Sequence, residues 1–162
     1  MFRWIALLLC CVPLQVLALS CLPWNVDDAL IKAVASERSY LPVVGRLTFD
    51  EDRLPKVDWN NQQDTPSQTL LPAHIEGHAW NGHAVAAPFD RNIELEVLCA
   101  GPWCAGAESG SIVLGILEQT QTTYRLSTHP CGGMLFSGEA VDLKKRVRVC
   151  LTEHDCQPSE RR

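Results

Sequence analysis

Cysteine content constrains this chain more than any other feature of its sequence. Two of the eight cysteines, Cys10 and Cys11, lie in an apolar N-terminal leader, which leaves six in the rest of the chain. An even number of cysteines in an exported chain predicts structural disulfides, although six cysteines can be joined in many ways. Short separations favour two pairs and elimination gives the third, so the predicted bonds are Cys99–Cys104, Cys150–Cys156 and Cys21–Cys131.

The leader, residues 1–20, has the layout of a secretory signal peptide. Arg3 gives it a positive start, an apolar run follows, and the small residues Ala18 and Ser20 suit cleavage. A transmembrane helix needs about 20 apolar residues, whereas this run is shorter and contains Pro13. The sequence therefore predicts a signal peptide over 1–20, a single domain over 21–162, and an exported protein that is periplasmic or secreted.

Cleavage after Ala18 or after Ser20 is compatible with the leader, and the second choice makes Cys21 the new N-terminus. The run from Ala18 to Cys21 also resembles a loose bacterial lipobox, which would place a lipid anchor on Cys21. Acylation would leave one of the other five cysteines without a partner, so an even cysteine count favours the form without lipid. No later stretch is apolar enough to predict a transmembrane segment.

Charge narrows the classes of partner. The formal net charge is −5, and it becomes −6 when the leader is removed, because Arg3 is its only charged residue. A negative domain is a poor ligand for phosphate backbones, which disfavours nucleic acid as a partner. The expected partner is a protein or a small ligand, and no motif predicts a cofactor.

Short apolar runs between turn signals predict a mainly β fold: a small closed or partly open β-barrel of OB type with one short N-terminal helix, or else a sandwich. Asp27 or Asp28 is expected to cap the helix, which runs to about Arg38. Asn81-Gly82 predicts a hairpin with a type I′ turn, and Gly45 indicates a bulge or bend. A long polar loop is expected over 50–71, with Trp59 packed against the body. Strands are predicted at 40–49, 75–80, 83–89, 92–99, 111–117, 122–128, 134–136 and 147–151.

In its order of elements the chain resembles the netrin-like module, an OB-type barrel shared with tissue inhibitors of metalloproteinases. The resemblance rests on Cys21, Tyr40-Leu-Pro-Val-Val-Gly-Arg-Leu, Trp80-Asn-Gly, Cys99, Ile112-Val-Leu-Gly-Ile-Leu, Tyr124-Arg-Leu and Pro130-Cys131. It implies inhibition of a metalloprotease by Cys21, whose free amine and carbonyl would bind the catalytic zinc. The inhibitors begin with Cys-x-Cys, whereas the third residue here is Pro23.

Three residues of one predicted strand carry metal-binding chemistry. His74, Glu76 and His78 alternate along the strand and so point to one side of it. Imidazole and carboxylate ligands suit zinc or another transition metal, which makes a metal-dependent hydrolase one hypothesis. The competing interpretation is a solvated face of a hairpin, since the chain has no His-Glu-x-x-His motif.

No motif predicts catalysis. Serine, histidine and aspartate side chains occur near the C-terminal half, but the sequence has no nucleophile-elbow motif. Four residues separate Cys99 from Cys104, whereas a redox-active pair has two residues between its cysteines.

Trp80 and Trp103 lie at predicted turns and are candidates for a binding surface, or for covers over the end of a barrel. The basic cluster over 144–148 is expected to form a polar strand face. The favoured function is an exported, non-enzymatic binding or structural module.

Overall fold

The structure is a computed structural model that describes residues 19–160. Most of the predicted signal peptide, residues 1–18, lies outside this part of the chain. Two short 3-10 turns, Glu51–Arg53 and Gln62–Asp64, lie between the first two strands. The helices and strands are α1 (Val26–Val34), β1 (Tyr40–Phe49), β2 (Gln68–Trp80), β3 (Val85–Ala100), β4 (Trp103–Cys104), β5 (Ile112–Gln119), β6 (Tyr124–Thr128), β7 (Leu135–Ser137) and α2 (Ala140–Thr152).

Five of the strands close into a ring. β1 pairs antiparallel with both β2 and β5, β2 pairs antiparallel with β3, and β5 pairs antiparallel with β6. A parallel pairing of β3 with β6 completes the circuit. The two remaining strands are attached to it, β4 to β3 and β7 to β5. The predicted mainly β fold, with a short N-terminal helix and disulfides, is confirmed.

A close approach of strands explains the glycine in the middle of β1. Gly45 pairs with Gly77 of β2 on one side and with Val113 of β5 on the other, without a break in register. A Cβ atom on Gly45 or on Gly77 would lie under 3.0 Å from backbone atoms of the facing strand. Of the two predicted alternatives the bulge is therefore wrong, while the bend stays a prediction; glycine is needed because the backbones of β1 and β2 nearly touch.

The core fills the ring and extends under α2. Inward positions alternate along the strands, as period-two patterning requires, and include Ile75, Leu95 and Leu126, which are fully buried. Leu143 and Val147 of α2 are also buried and belong to the same apolar cluster. The body of the molecule thus has one continuous core, with both helices packed outside the ring.

The predicted first helix is confirmed, but its boundaries differ. The side chain of Asn25 accepts hydrogen bonds from the backbone N–H groups of Asp27 and Asp28, at 2.9 and 3.0 Å. The carboxylate of Asp28 accepts a return bond from the Asn25 N–H at 2.9 Å, which completes a capping box. Asn25 is therefore the N-cap, where Asp27 or Asp28 was predicted, and the helix ends at Val34 instead of near Arg38.

The last predicted strand, 147–151, is wrong, because these residues belong to helix α2. Val147, Val149 and Leu151 alternate as in a strand, but the buried residues of α2 are Leu143, Val147 and Cys150. Their spacing of four and three residues is the period of a helix with one apolar face. The basic cluster over 144–148 consequently lies on a helix, not on the predicted strand face.

The predicted hairpin joins β2 and β3, but its turn is not type I′. Asn81 keeps a negative φ, and its side-chain oxygen accepts hydrogen bonds from the N–H groups of His83 and Ala84, at 3.0 and 2.9 Å. Gly82 supplies the positive φ, +93°. The predicted strands 83–89 and 92–99 are a single strand, β3.

Trp59 is 63% exposed in the loop before β2, so its predicted packing against the body is wrong.

The three predicted disulfides are confirmed. Cα atoms are separated by 5.0 Å in Cys21–Cys131, 3.9 Å in Cys99–Cys104 and 4.2 Å in Cys150–Cys156. The first ties the start of the domain to the segment after β6, while the other two close short loops. Within residues 19–160, neither helix has the length and apolar character needed to cross a membrane.

Candidate functional site

Trp80, one of the two predicted binding residues, lines an apolar cleft where four elements meet. It ends β2, and the hairpin turn that follows brings Gly82 alongside it. The cleft has a volume of about 270 Å³. We call it the Trp80 cleft; its lining residues are Leu30, Ala33, Val34, Tyr40, Pro42, Trp80, Gly82 and Leu151.

The walls of the Trp80 cleft suit an apolar group. Leu30 is fully buried, whereas Val34 at the end of α1 is 72% exposed. Removing an apolar surface of this kind from water stabilises the bound state, by about 25 cal/mol per Å². Clefts lined mainly by hydrophobic and aromatic side chains, with few polar groups, are the usual form of small-ligand sites. This one has room for one aliphatic or aromatic group.

Trp103, the other predicted binding residue, lines a different cleft. It is 37% exposed on β4, and the cleft around it, of about 480 Å³, lies beside the Cys21–Cys131 disulfide. Trp24 forms another wall, where its indole N–H donates a hydrogen bond to the Gly133 carbonyl at 2.9 Å. The structure therefore does not bring Trp80 and Trp103 into one surface, since the two clefts share no lining residue.

The long polar loop before β2 contributes to a third, more polar groove on the outer face of β2 and β3. Arg53 from the loop, Leu70 from the start of β2, and Thr122 and Thr123 from the β5–β6 turn line this groove of about 540 Å³. At its edge Arg125 donates hydrogen bonds to one oxygen of Glu94, at 2.9 and 3.2 Å. These bonds raise the pKa of the Arg125 guanidinium. Glu94, the one carboxylate among the described residues that line this groove, is therefore paired with a cation of the same sheet.

His74, Glu76 and His78 share the outer face of β2, as predicted. Both ring nitrogens of His74 are occupied: Nδ1 lies 3.1 Å from the Asn92 side-chain oxygen, and Nε2 lies 3.1 Å from an Asp90 carboxylate oxygen. A metal ion at His74 would have to replace one of these contacts. Metal binding by the three residues stays a prediction.

Among residues 19–160, one group of three potential ligands has its ligand atoms within 4.8 Å of one another. It consists of Asp27, Cys150 and Cys156. The two sulfur atoms are joined in a disulfide, and the Asp27 carboxylate accepts hydrogen bonds from Arg146 and from the Gln157 N–H. These groups are engaged in holding the fold and are not free to bind a metal.

Cys21, the residue implied in metalloprotease inhibition, is exposed and bonded to Cys131. Its sulfur lies 3.8 Å from the carbonyl oxygen of Pro130, so the start of the domain is held against the segment after β6. Inhibition through its amine and carbonyl stays a prediction.

Sequence reasoning missed one groove, of about 610 Å³, between α2 and the hairpin. Its cationic residues belong to the basic cluster over 144–148, which was predicted to lie on a strand. Reading that cluster with helical spacing would have placed its cations on one face and so indicated the groove. We call it the α2 groove; its lining residues are Ala84, Val85, Ala140, Val141, Lys144, Lys145 and Arg148.

Comparison of the chain with protein families, with characterised proteins and with solved structures finds no match.

Proposed function

We propose that this chain is an exported, non-enzymatic binding module whose Trp80 cleft takes up an apolar group of its partner. Three disulfides support the exported location, because such bonds persist in oxidising compartments. The closed ring of five strands supports the OB-type barrel that the netrin-like resemblance implies.

The Trp80 cleft is the observation that carries the proposal. It combines a buried floor at Leu30, an aromatic wall at Trp80 and an exposed aliphatic rim at Val34. Elements far apart in sequence hold these groups, so the cleft exists before a ligand arrives, and binding does not require ordering of a loop. If Trp80 only covered the end of the ring, it would need neither an open volume beside it nor an exposed apolar rim.

Binding can be tested by titrating the disulfide-bonded protein with cyclohexanol and benzyl alcohol as apolar probes. We expect a saturable shift of the Trp80 indole N–H signal in ¹H–¹⁵N NMR spectra, with the exposed Trp59 signal as an internal reference. Val34→Asp should weaken binding roughly five- to tenfold, the equivalent of losing most of one aliphatic contact. The fold should tolerate this change because Val34 is exposed.

Leu22→Asp is the matched control, because it also places a carboxylate at an exposed aliphatic position but outside the cleft. It should bind the probes as the unmodified protein does. A Trp80 signal that does not respond to either probe, or one that moves only in proportion to the Trp59 signal, would count against the proposed function.

A further inference from the structure

We propose that the partner of this module is an acidic segment of another protein, whose apolar residue enters the Trp80 cleft while its carboxylates pair with cations of the α2 groove. This inference rests on the proposed function and adds the chemistry of the partner. It is carried by the position of the α2 groove, by its charge and by the rigidity of its walls.

The α2 groove and the Trp80 cleft lie on two sides of the same hairpin tip. Gly82 lines the cleft, while Ala84 and Val85 line the groove. Along α2, Arg148 lines the groove and Leu151, three residues later, lines the cleft. Residues three apart on a helix are neighbours on its surface, at about 5–6 Å between Cβ atoms. One extended peptide can therefore reach both features.

The α2 groove is positive at its rim and apolar between its cations. Within residues 19–160, neither Lys144 nor Lys145 forms an ion pair, and Arg148 has only an exposed contact at 3.4 Å with Glu153. Val141 is 73% exposed beside them. No carboxylate is found among the described residues that line the groove. A segment with both acidic and aliphatic side chains matches this combination.

The walls of the groove are fixed by contacts that do not depend on a ligand. Arg146 turns away from the groove and forms a bidentate pair with the fully buried Asp27 of α1, one bond of which measures 2.7 Å. At the end of α2, the Thr152 hydroxyl donates a hydrogen bond to the His83 carbonyl of the hairpin tip at 3.1 Å. The helix and the hairpin are thus tied together at the boundary between groove and cleft.

Overall charge favours a protein segment over an extended anionic surface. The chain carries a formal net charge of −5, so a membrane or polyanion that approaches broadly meets net repulsion. A short acidic segment in the α2 groove contacts lining residues that include three cations and no carboxylate. The α2 groove is concave, between a helix and a hairpin, and so fits a peptide better than it fits a flat surface.

The inference can be tested with nonapeptides that have a central leucine flanked by Asp and Glu, by Asn and Gln, or by Lys. We expect the acidic set to bind roughly tenfold more tightly than the amide set at low ionic strength, because each exposed ion pair contributes about a two- to fivefold effect. The preference should shrink at about 0.5 M salt, where charges are screened. Affinity would be measured by fluorescence anisotropy and the Trp80 signal by NMR.

Lys144→Glu with Lys145→Glu should remove or reverse the preference for the acidic set, and Lys145→Ala with Arg148→Ala should reduce it if the first variant does not fold. Lys56→Glu with Arg91→Glu is the matched control, because it changes the net charge equally at exposed positions outside the groove. This control should retain the preference. An equal loss in the control would overturn the inference, since it would show a long-range charge effect.

Equal binding of the acidic and amide sets would also overturn the inference, while a shift of the Trp80 signal with both sets would leave the proposed function intact. If no peptide set and neither apolar probe moves that signal, the proposed function fails as well. Tighter binding to vesicles of phosphatidylserine and phosphatidylcholine, in competition with the acidic peptides, would identify a membrane instead and overturn the inference.

Discussion

At the scale of single residues, Gly77 has the most sharply defined role, because it allows β1 and β2 to approach. We expect Gly77→Ala to lower the free energy of unfolding by about 3 kcal/mol, since the added methyl group collides with the backbone of Val44 and Gly45 in a packed sheet. Gly106→Ala is the control, because its Cβ would have no neighbour within 4 Å. Urea unfolding measures both variants, and similar stabilities would show that the two strands can separate at no cost.

Asp27 is the residue on which α1, α2 and the C-terminal segment converge. It is fully buried and accepts hydrogen bonds from Arg146 and from the backbone of Gln157. Asp27→Ala should destabilise the fold by about 2–3 kcal/mol, because it removes the acceptor of a charge-assisted hydrogen bond and of a backbone N–H, while water can reach the partly exposed Arg146 guanidinium.

Arg38→Ala is the comparison for Asp27→Ala. It breaks an exposed pair with Glu118 and should leave the unfolding midpoint nearly unchanged. Urea unfolding of both variants distinguishes the buried pair from the exposed one. An Asp27→Ala variant as stable as Arg38→Ala would mean that the C-terminal segment does not depend on this carboxylate.

At the scale of elements, the sequence predicted well wherever a local pattern determines the structure. The bounds of β1 were predicted to the residue, because apolar markers and a following polar run define it. The β2–β3 hairpin was predicted from Asn81-Gly82, although the Asn81 side chain bonds to the turn's N–H groups and makes a turn other than type I′. Local turn residues therefore fixed where the chain reverses but not the turn's geometry.

Helix α2 shows where local patterns fail. Alternating Val147, Val149 and Leu151 suggest a strand, whereas the buried face uses Leu143, Val147 and Cys150. Tertiary packing decides between these two sets, since burial against the core favours the helical one. The α2 groove was missed for the same reason, because its cations share a face only when the segment is helical.

The candidate site depended on contacts that no local pattern encodes. Trp80 was predicted from its place at a turn, but its cleft is formed by α1, β1 and the end of α2. The apolar group expected on the partner follows from that meeting of distant segments. Trp103 was predicted by the same argument, and it lies in another cleft, which shows that a turn position alone does not define one surface.

At the scale of the whole molecule, three disulfides secure a ring that already has a continuous core. Two of them close loops in which the cysteines are only 5 and 6 residues apart, Cys99–Cys104 and Cys150–Cys156. Cys21–Cys131 spans 110 residues and holds the segment before α1 against the segment after β6. The three bonds therefore should not contribute equally to stability.

The span of each bond sets its expected contribution, because a cross-link stabilises the fold chiefly by restricting the unfolded chain. Replacing both Cys21 and Cys131 by serine should cost about 4–5 kcal/mol, whereas the same change at Cys99 and Cys104 should cost about 2 kcal/mol. Paired substitution avoids free thiols, and urea unfolding gives both values. Equal losses would show that the restriction of the unfolded chain does not govern stability, and that the local packing around each bond does.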